Sequence, residues 1–157
     1  MSVPVSRRWL CQVAIVASAV TVSGSRTFAH TASNNHAGIV QPVSPTDRGF
    51  IERAFEMRRL AVEYGDQAYG AVIVRDGIVI GQSWSRVVLD QDPTGHAEMA
   101  AIRDAARRQN ERNLTDSIMY SSSRPCPMCE AAAYWAGIGA MMYGQSADNA
   151  GVPKLCR

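Results

Sequence analysis

Two short motifs constrain the fold of this chain more than any other feature: His96-Ala97-Glu98 and, beginning thirty residues after the histidine with Cys126, the pair in Pro125-Cys126-Pro127-Met128-Cys129. One imidazole and two thiolates are three ligands of a tetrahedral zinc site, and they leave the fourth position for water. A structural site normally closes with a fourth Cys or His, and none stands at a suitable spacing. The pattern therefore predicts a catalytic zinc ion, which lowers the pKa of its bound water to about 7.

Both motifs are predicted to begin helices, one from His96 to about Gln109 and one from Cys126 to about Trp135. The two cysteines stand at i and i+3, so their thiols share one helix face. The positive ends of the two helices favour thiolate over thiol at the metal. A lone C-x-x-C is also typical of a redox pair, but the two motifs in this order favour zinc, with Glu98 as the proton shuttle.

The start of the chain is typical of an export signal, with paired arginines, a short apolar run and a small-residue cleavage site. The arginines favour the twin-arginine subtype, and the run is too short for a stable membrane span. We expect a signal peptide at residues 1–29, a linker rich in Ser, Thr, Asn and Pro at 30–45, and a zinc domain at 46–157. The protein is then periplasmic or secreted. Two alternatives remain: an uncleaved amphipathic anchor, or a start codon placed too far upstream, which would leave the protein cytoplasmic.

Net charge argues against a polynucleotide substrate. The chain has sixteen basic and fourteen acidic residues, and three of the basic residues (Arg7, Arg8 and Arg26) lie in the predicted leader, which holds no acid. The rest of the chain is therefore close to neutral, whereas proteins that bind nucleic acid usually show a basic excess.

The hydrophobic pattern predicts an α/β domain. A helix is expected from Asp47 to about Tyr64, followed by strands at 69–75 and 78–83 that join through an Asp76-Gly77 turn. Two further strands are predicted at 117–122 and 140–143, on either side of the second zinc helix. This order implies helices on both faces of a mixed sheet.

Beyond the metal motifs, three segments resemble the nucleobase and nucleoside branch of the cytidine-deaminase-like superfamily: 69–74, Asp92-Pro93-Thr94-Gly95-His96-Ala97-Glu98, and 125–129. Guanine deaminases and tRNA adenosine deaminases are the most similar groups, over roughly residues 47–144. The resemblance implies a three-layer α/β/α fold, attack of a zinc-activated hydroxide on a ring carbon that bears an amine, release of ammonia, and commonly a homodimer.

The resemblance also assigns roles to single residues. His96, Cys126 and Cys129 match the zinc ligands, and Glu98 matches the catalytic proton shuttle. Trp135, in a Tyr-Trp-Ala sequence, matches a residue that lines the base pocket, although it is also compatible with an ordinary core or interface position. Tyr69 falls where guanine deaminases have a phenylalanine that packs on the base. Ser85 stands where both groups have an asparagine that binds the substrate, and a hydroxyl offers fewer hydrogen bonds than an amide.

Two departures bear on the substrate. Arg124 stands where these groups usually have a glutamate, and we expect it to form a salt bridge in preference to a contact with an anionic substrate. Guanine deaminases also continue into a segment whose acidic residue reads the guanine amino group, and this chain has no match for it.

The sequence therefore predicts a zinc hydrolase acting on a small purine base or nucleoside, guanine- or guanosine-like, with little action on nucleic acid. The alternatives are a tRNA adenosine deaminase, a deaminase of cytosine or a pyrazine-like ring, and a catalytically decayed zinc-binding domain.

Overall fold

A five-stranded mixed sheet forms the framework of the computed structural model, which describes residues 38–155. Its elements are α1 (Asp47–Glu63), β1 (Gly70–Arg75), β2 (Ile78–Trp84), α2 (Ala97–Gln109), β3 (Ser117–Ser121), α3 (Pro127–Trp135), β4 (Ala140–Tyr143) and β5 (Asp148–Gly151). The strand order is β2-β1-β3-β4-β5, and only the β3–β4 pair is parallel. The predicted α/β class is confirmed. Strand β5 was not predicted, because Asp-Asn-Ala-Gly has no apolar alternation.

The β1–β2 hairpin forms where the sequence predicted it. Asp76 and Gly77 both have positive φ angles, 51° and 73°, which is the backbone of a two-residue turn whose twist matches that of the strands. Residues of β1 then alternate between the two faces of the sheet: Ala71 and Ile73 belong to one core cluster, Val72 and Val74 to the other.

Helix α1 covers the face that carries Val72 and Val74. Thr46 caps this helix, since its hydroxyl accepts a hydrogen bond from the Gly49 N–H at 3.2 Å. The cluster beneath it is built from large side chains: Phe50, Ile51, Met57, Val72, Val74, Val79 and Tyr120.

Helices α2 and α3 cover the opposite face, and their contact residues are small. The buried alanines are Ala97, Ala101, Ala105 and Ala133. Helix α2 lies so close to β2 that a Cβ added to Gly81 would come within 2.5 Å of the Ala105 backbone nitrogen. Only a glycine allows this approach.

Backbone hydrogen bonds join the ends of several elements at one end of the sheet. The Ser85 N–H donates to the Tyr69 carbonyl at 3.0 Å, and the Arg86 N–H donates to the Gly95 carbonyl at 2.7 Å. The Ser122 N–H donates to the Gly70 carbonyl at 2.9 Å. The starts of β1 and α2, the end of β2 and the loop that leads to α3 therefore meet here.

Residues 38–45, the end of the predicted linker, run along the outer side of β2. The Gln41 side chain accepts a hydrogen bond from the Val79 N–H at 2.8 Å and donates one to the Val79 carbonyl at 2.9 Å. The predicted signal peptide and the rest of the linker lie outside the described residues. None of the helices in the described part of the chain is long and apolar enough to cross a lipid bilayer.

Candidate metal centre

Three predicted ligands lie together at the end of the sheet. The Nδ1 atom of His96 is 3.6 Å from the Sγ atoms of both Cys126 and Cys129, and the two Sγ atoms are 3.7 Å apart. Tetrahedral zinc, with Zn–S of about 2.3 Å and Zn–N of about 2.0–2.1 Å, requires an S–S separation of about 3.8 Å and S–N separations of about 3.5–3.6 Å. The three donor atoms thus have the spacing of one face of a zinc tetrahedron.

Each motif meets this point from a helix N-terminus. His96 is the N-cap residue of α2 and Cys126 is the N-cap residue of α3. Both helices therefore begin one residue later than predicted. Neither side chain makes a capping hydrogen bond, so both are left to act as ligands. Pro127 occupies the first turn of α3, where no backbone N–H is needed.

Burial sets the charge balance of the centre. Cys129 is fully buried, and burial first, then the nearby Glu98 and Cys126, raise the pKa of its thiol well above the usual range. A thiolate at this position therefore requires a cation beside it, which a zinc ion provides. This requirement and the donor spacing show that the residues present fit zinc.

The Glu98 carboxylate lies against the triad. It is 5% exposed, and its Oε2 accepts a hydrogen bond from the Cys129 thiol at an S···O distance of 3.6 Å. Burial raises the pKa of this carboxyl above its ordinary value, although the contact with Cys129 and the charge of His96 oppose the shift. An acid held in this way keeps a proton at pH values where an exposed glutamate has lost it.

Asp66, which no sequence motif singles out, fixes the loop that leads to His96. Its carboxylate accepts hydrogen bonds from the Val88 and Leu89 N–H groups at 3.0 and 2.9 Å and from the Gln67 N–H at 2.7 Å. Burial alone would raise the pKa of Asp66, but these hydrogen bonds outweigh it and lower the pKa. The only signal in the sequence is a lone acid in the short polar turn between α1 and β1.

The three predicted substrate residues are placed differently from one another. Tyr69, at the start of β1, is 45% exposed and open to a ligand. Ser85 is fully buried beside Asp66; its hydroxyl helps to lower the pKa of that carboxyl but makes no well-formed hydrogen bond. Trp135 is 73% exposed at the last residue of α3, about 9 Å along the helix axis from Cys129. Tyr69 and Ser85 therefore lie at the end of the sheet that holds the triad, whereas Trp135 lies at the last residue of α3.

Arg124 does not form the expected salt bridge within the described residues. Its guanidinium carbon instead lies 5.9 Å from the centre of the Tyr143 ring, which corresponds to a cation–π contact. Tyr143, at the end of the neighbouring strand β4, offers this cation an aromatic face in place of a carboxylate.

Comparison with known proteins, like the geometry, indicates a zinc-binding site. Residues 44–145 match the cytidine and deoxycytidylate deaminase zinc-binding region. The chain is 40% identical over 102 residues to guanine deaminase of Bacillus subtilis, which covers 64% of this chain and 65% of that protein. It is 33% identical over 104 residues to the tRNA-specific adenosine deaminase of Haemophilus influenzae, with 66% and 60% covered. In both cases the match spans less than two thirds of the relative.

A solved structure confirms the predicted fold. It comes from a study of A-to-I editing by tRNA:A34 deaminases and superposes with a TM-score of 0.59 at 39% identity, covering 60% of this chain and 69% of that one. The zinc expected from the sequence is likewise supported by the matched family and by the converging histidine and cysteines.

Proposed function

This chain belongs to the cytidine and deoxycytidylate deaminase family, and we propose that it is a zinc-dependent hydrolytic deaminase of a purine base or nucleoside, guanine- or guanosine-like by preference. One observation carries the proposal. A buried carboxylate, Glu98, lies 3.6 Å from a sulfur of a donor triad spaced for zinc. A closed structural zinc site binds no water, so it would need no buried acid for proton transfer.

Each residue has a defined part in the proposed reaction. His96, Cys126 and Cys129 hold the ion, which when bound acts as a Lewis acid toward water. Glu98 takes a proton from the attacking water onto its carboxylate and passes it to the ring nitrogen beside the amine-bearing carbon. It then takes the remaining proton of the hydroxyl group added to the ring carbon and transfers it to the amine. The C–N bond breaks, the hydroxyl oxygen becomes a carbonyl oxygen, and ammonia leaves. The raised pKa of Glu98 suits a group that must hold and release a proton in turn.

The preference for a purine is supported by the similarity to guanine deaminase and by the exposed ring of Tyr69, which offers a stacking face for a flat base. Deamination of adenosine in tRNA is the second candidate. It is supported by the similarity to tRNA-specific adenosine deaminases. The near-neutral charge of the chain after the predicted leader argues against it.

Ammonia release from a panel of free bases, nucleosides and a tRNA tests this proposal. We expect turnover of guanine or guanosine, weaker turnover of related amino-substituted rings, and little on tRNA. Glu98→Gln should lower kcat by about 10²–10⁴-fold while keeping the zinc, because the carboxylate is not a ligand. Glu63→Gln, an exposed change at the end of α1, is the matched control and should behave as wild type. Exclusive action on tRNA, or loss of zinc from the Glu98 variant, would contradict the proposal.

We further propose that the protein works as a homodimer in which Trp135 lies at the interface. Trp135 and Tyr134 are both exposed, and their rings form an edge-to-face pair 5.5 Å apart. A tryptophan exposed to this extent is typical of a contact surface. Sedimentation equilibrium should show a dimer that Trp135→Ala weakens, with a loss of about 10–100-fold in kcat/KM if the partner's aromatic residues complete the pocket. A monomer of full activity would contradict this.

Export through the predicted leader is also a proposal, resting on Arg7 and Arg8 ahead of the apolar run. Replacing both by lysine should leave a longer, folded protein in the cytoplasm. Wild-type protein found only in the cytosol with Met1 intact would show that the segment is not a signal.

A further inference from the structure

A cleft opens beside the proposed active site. Its volume is about 390 Å³, and it is lined by Arg58, Gln67, Ala68, Tyr69 and Ser123. Its polar side chains are one guanidinium, one amide and two hydroxyls. None of the lining residues is acidic, so the cleft presents hydrogen-bond donors around a single positive charge.

Arg58 is the unusual member, because its charge is not neutralised within residues 38–155. The neighbouring arginines of α1 are paired: Arg53 and Arg59 both contact Glu56, the latter at 3.8 Å. Arg58 makes no ion pair in that part of the chain, and its guanidinium carbon lies 5.6 Å from the centre of the Phe55 ring. A guanidinium resting on an aromatic ring keeps its planar N–H fork available for an anion.

The acid nearest to this cleft in sequence does not compensate the charge. Asp66 precedes Gln67, but its carboxylate is 8% exposed and is held by the N–H groups of Gln67, Val88 and Leu89. The donors of the cleft are thus left for a ligand.

The cleft lies against the proposed active site. Ser123 precedes the ligand Cys126 by three residues, which limits their Cα separation to about 11 Å. Helix α1 lies directly on the start of β1, since a Cβ added to Gly70 would come within 2.3 Å of the backbone nitrogen of Arg58. Tyr69, the candidate stacking residue, belongs to both sites. The limit of about 11 Å is small enough for one nucleotide to contact both Ser123 and the metal centre.

We propose that this cleft binds the phosphate group of the substrate, so that the preferred substrate is a purine nucleoside monophosphate with its base at the metal centre and its phosphate on Arg58. This inference rests on the proposed function: it keeps the deamination of a purine at the metal centre and extends the substrate from a nucleoside to a nucleotide. Phosphate fits the cleft because it accepts several hydrogen bonds at once and pairs with a planar guanidinium.

Steady-state kinetics on the zinc-loaded full chain test the assignment, with guanosine and guanosine 5′-monophosphate as the two probes. Wild type should have the lower KM for the nucleotide. Arg58→Gln should raise the nucleotide KM about 10-fold more than it raises the guanosine KM, in line with the loss of one hydrogen-bonded ion pair. Arg59→Gln removes the same charge one residue along α1, outside the cleft, and should leave the ratio of the two KM values unchanged.

Calorimetry separates this inference from the proposed function. Binding of the same two probes is measured on the Glu98→Gln protein and repeated with each arginine variant, so that no turnover is needed. Tighter binding of the nucleotide that depends on Arg58 and weakens with salt supports the phosphate cleft, even if no purine in the panel is deaminated. Equal binding of the two probes, or equal effects of the two arginine variants, would overturn it. An Arg58-dependent gain seen with a short oligoribonucleotide and not with the mononucleotide would overturn it too, in favour of a polynucleotide substrate.

Discussion

The helices on the two faces of the sheet contribute side chains of different size. Helix α1 packs large residues such as Phe50 and Met57 against its face, whereas the buried apolar residues of α2 and α3 are alanines and the larger side chains of that face come mostly from the strands. Burial of a large side chain contributes about 1.5–3 kcal/mol, and an alanine methyl group contributes much less. Small residues, however, let two helices lie close to the sheet, and the N-termini of these two helices carry the metal ligands. Large side chains therefore hold α1 on the sheet, whereas small side chains set the positions of α2 and α3.

This comparison predicts that zinc stabilises the α2–α3 face. Cys129→Ala should remove the bound ion and cost more unfolding free energy than a large-to-small change in the core, because metal-binding energy is also folding energy. Metal analysis and denaturant unfolding measure both effects. Chelated wild type should show the same loss of stability, whereas a variant that keeps one zinc per chain would break the comparison.

A large cost without loss of zinc is expected on the opposite face. Phe50→Ala removes a ring that packs 5.1 Å from the ring of Tyr120, and should destabilise the protein by about 3–5 kcal/mol. Its zinc affinity should remain that of wild type, as measured by competition with a chelator. A parallel loss of zinc affinity would show that the two faces do not have separate tasks.

Gly81→Ala should cost less stability than Phe50→Ala but should weaken zinc binding. The new methyl group would meet the backbone of Ala105, so α2 must move away from β2 and carry His96 with it. We expect a loss of about 1–3 kcal/mol in stability together with a clear fall in zinc affinity. Gly139→Ala is the control, since its added Cβ makes only an ordinary contact with the Ser117 carbonyl at 3.6 Å.

The smallest effect is expected at the hydrogen bond between the Tyr120 hydroxyl and the Asp47 carboxylate, 2.6 Å long. Tyr120→Phe should cost about 1 kcal/mol, because Asp47 remains solvated. Burial, then Asp47, raise the pKa of Tyr120 above its ordinary value of 10.0. The unfolded chain therefore loses this proton first, and stability should fall as the pH rises past 10. Unfolding curves at several alkaline pH values should show a smaller fall for the variant than for wild type.

Short-range signals made most of the fold predictable. The Asp76-Gly77 turn, the Thr46 cap and the helices that follow each metal motif depend on residues only a few positions apart. The metal triad joins residues thirty or more positions apart, yet it could be predicted because zinc chemistry restricts which residue types can serve together.

Contacts between distant residues of ordinary type could not be predicted in the same way. Asp66 bonds to the backbone of Val88 and Leu89, and a backbone N–H carries no signal in the sequence that would reveal its partner. Ser85 lies buried beside this Asp66 carboxylate. Its predicted role in substrate binding stays a prediction; its buried hydroxyl contributes to the lowered pKa of Asp66.

The side chain of Gln41 has a consequence for how chains of this protein meet one another. Strand β2 is an outer strand of the sheet, and such a strand offers free N–H and C=O groups to any other extended chain. The Gln41 amide occupies both groups of Val79 near the start of that edge, in the manner of a paired strand residue. Segment 38–45 thereby protects the protein against edge-to-edge aggregation.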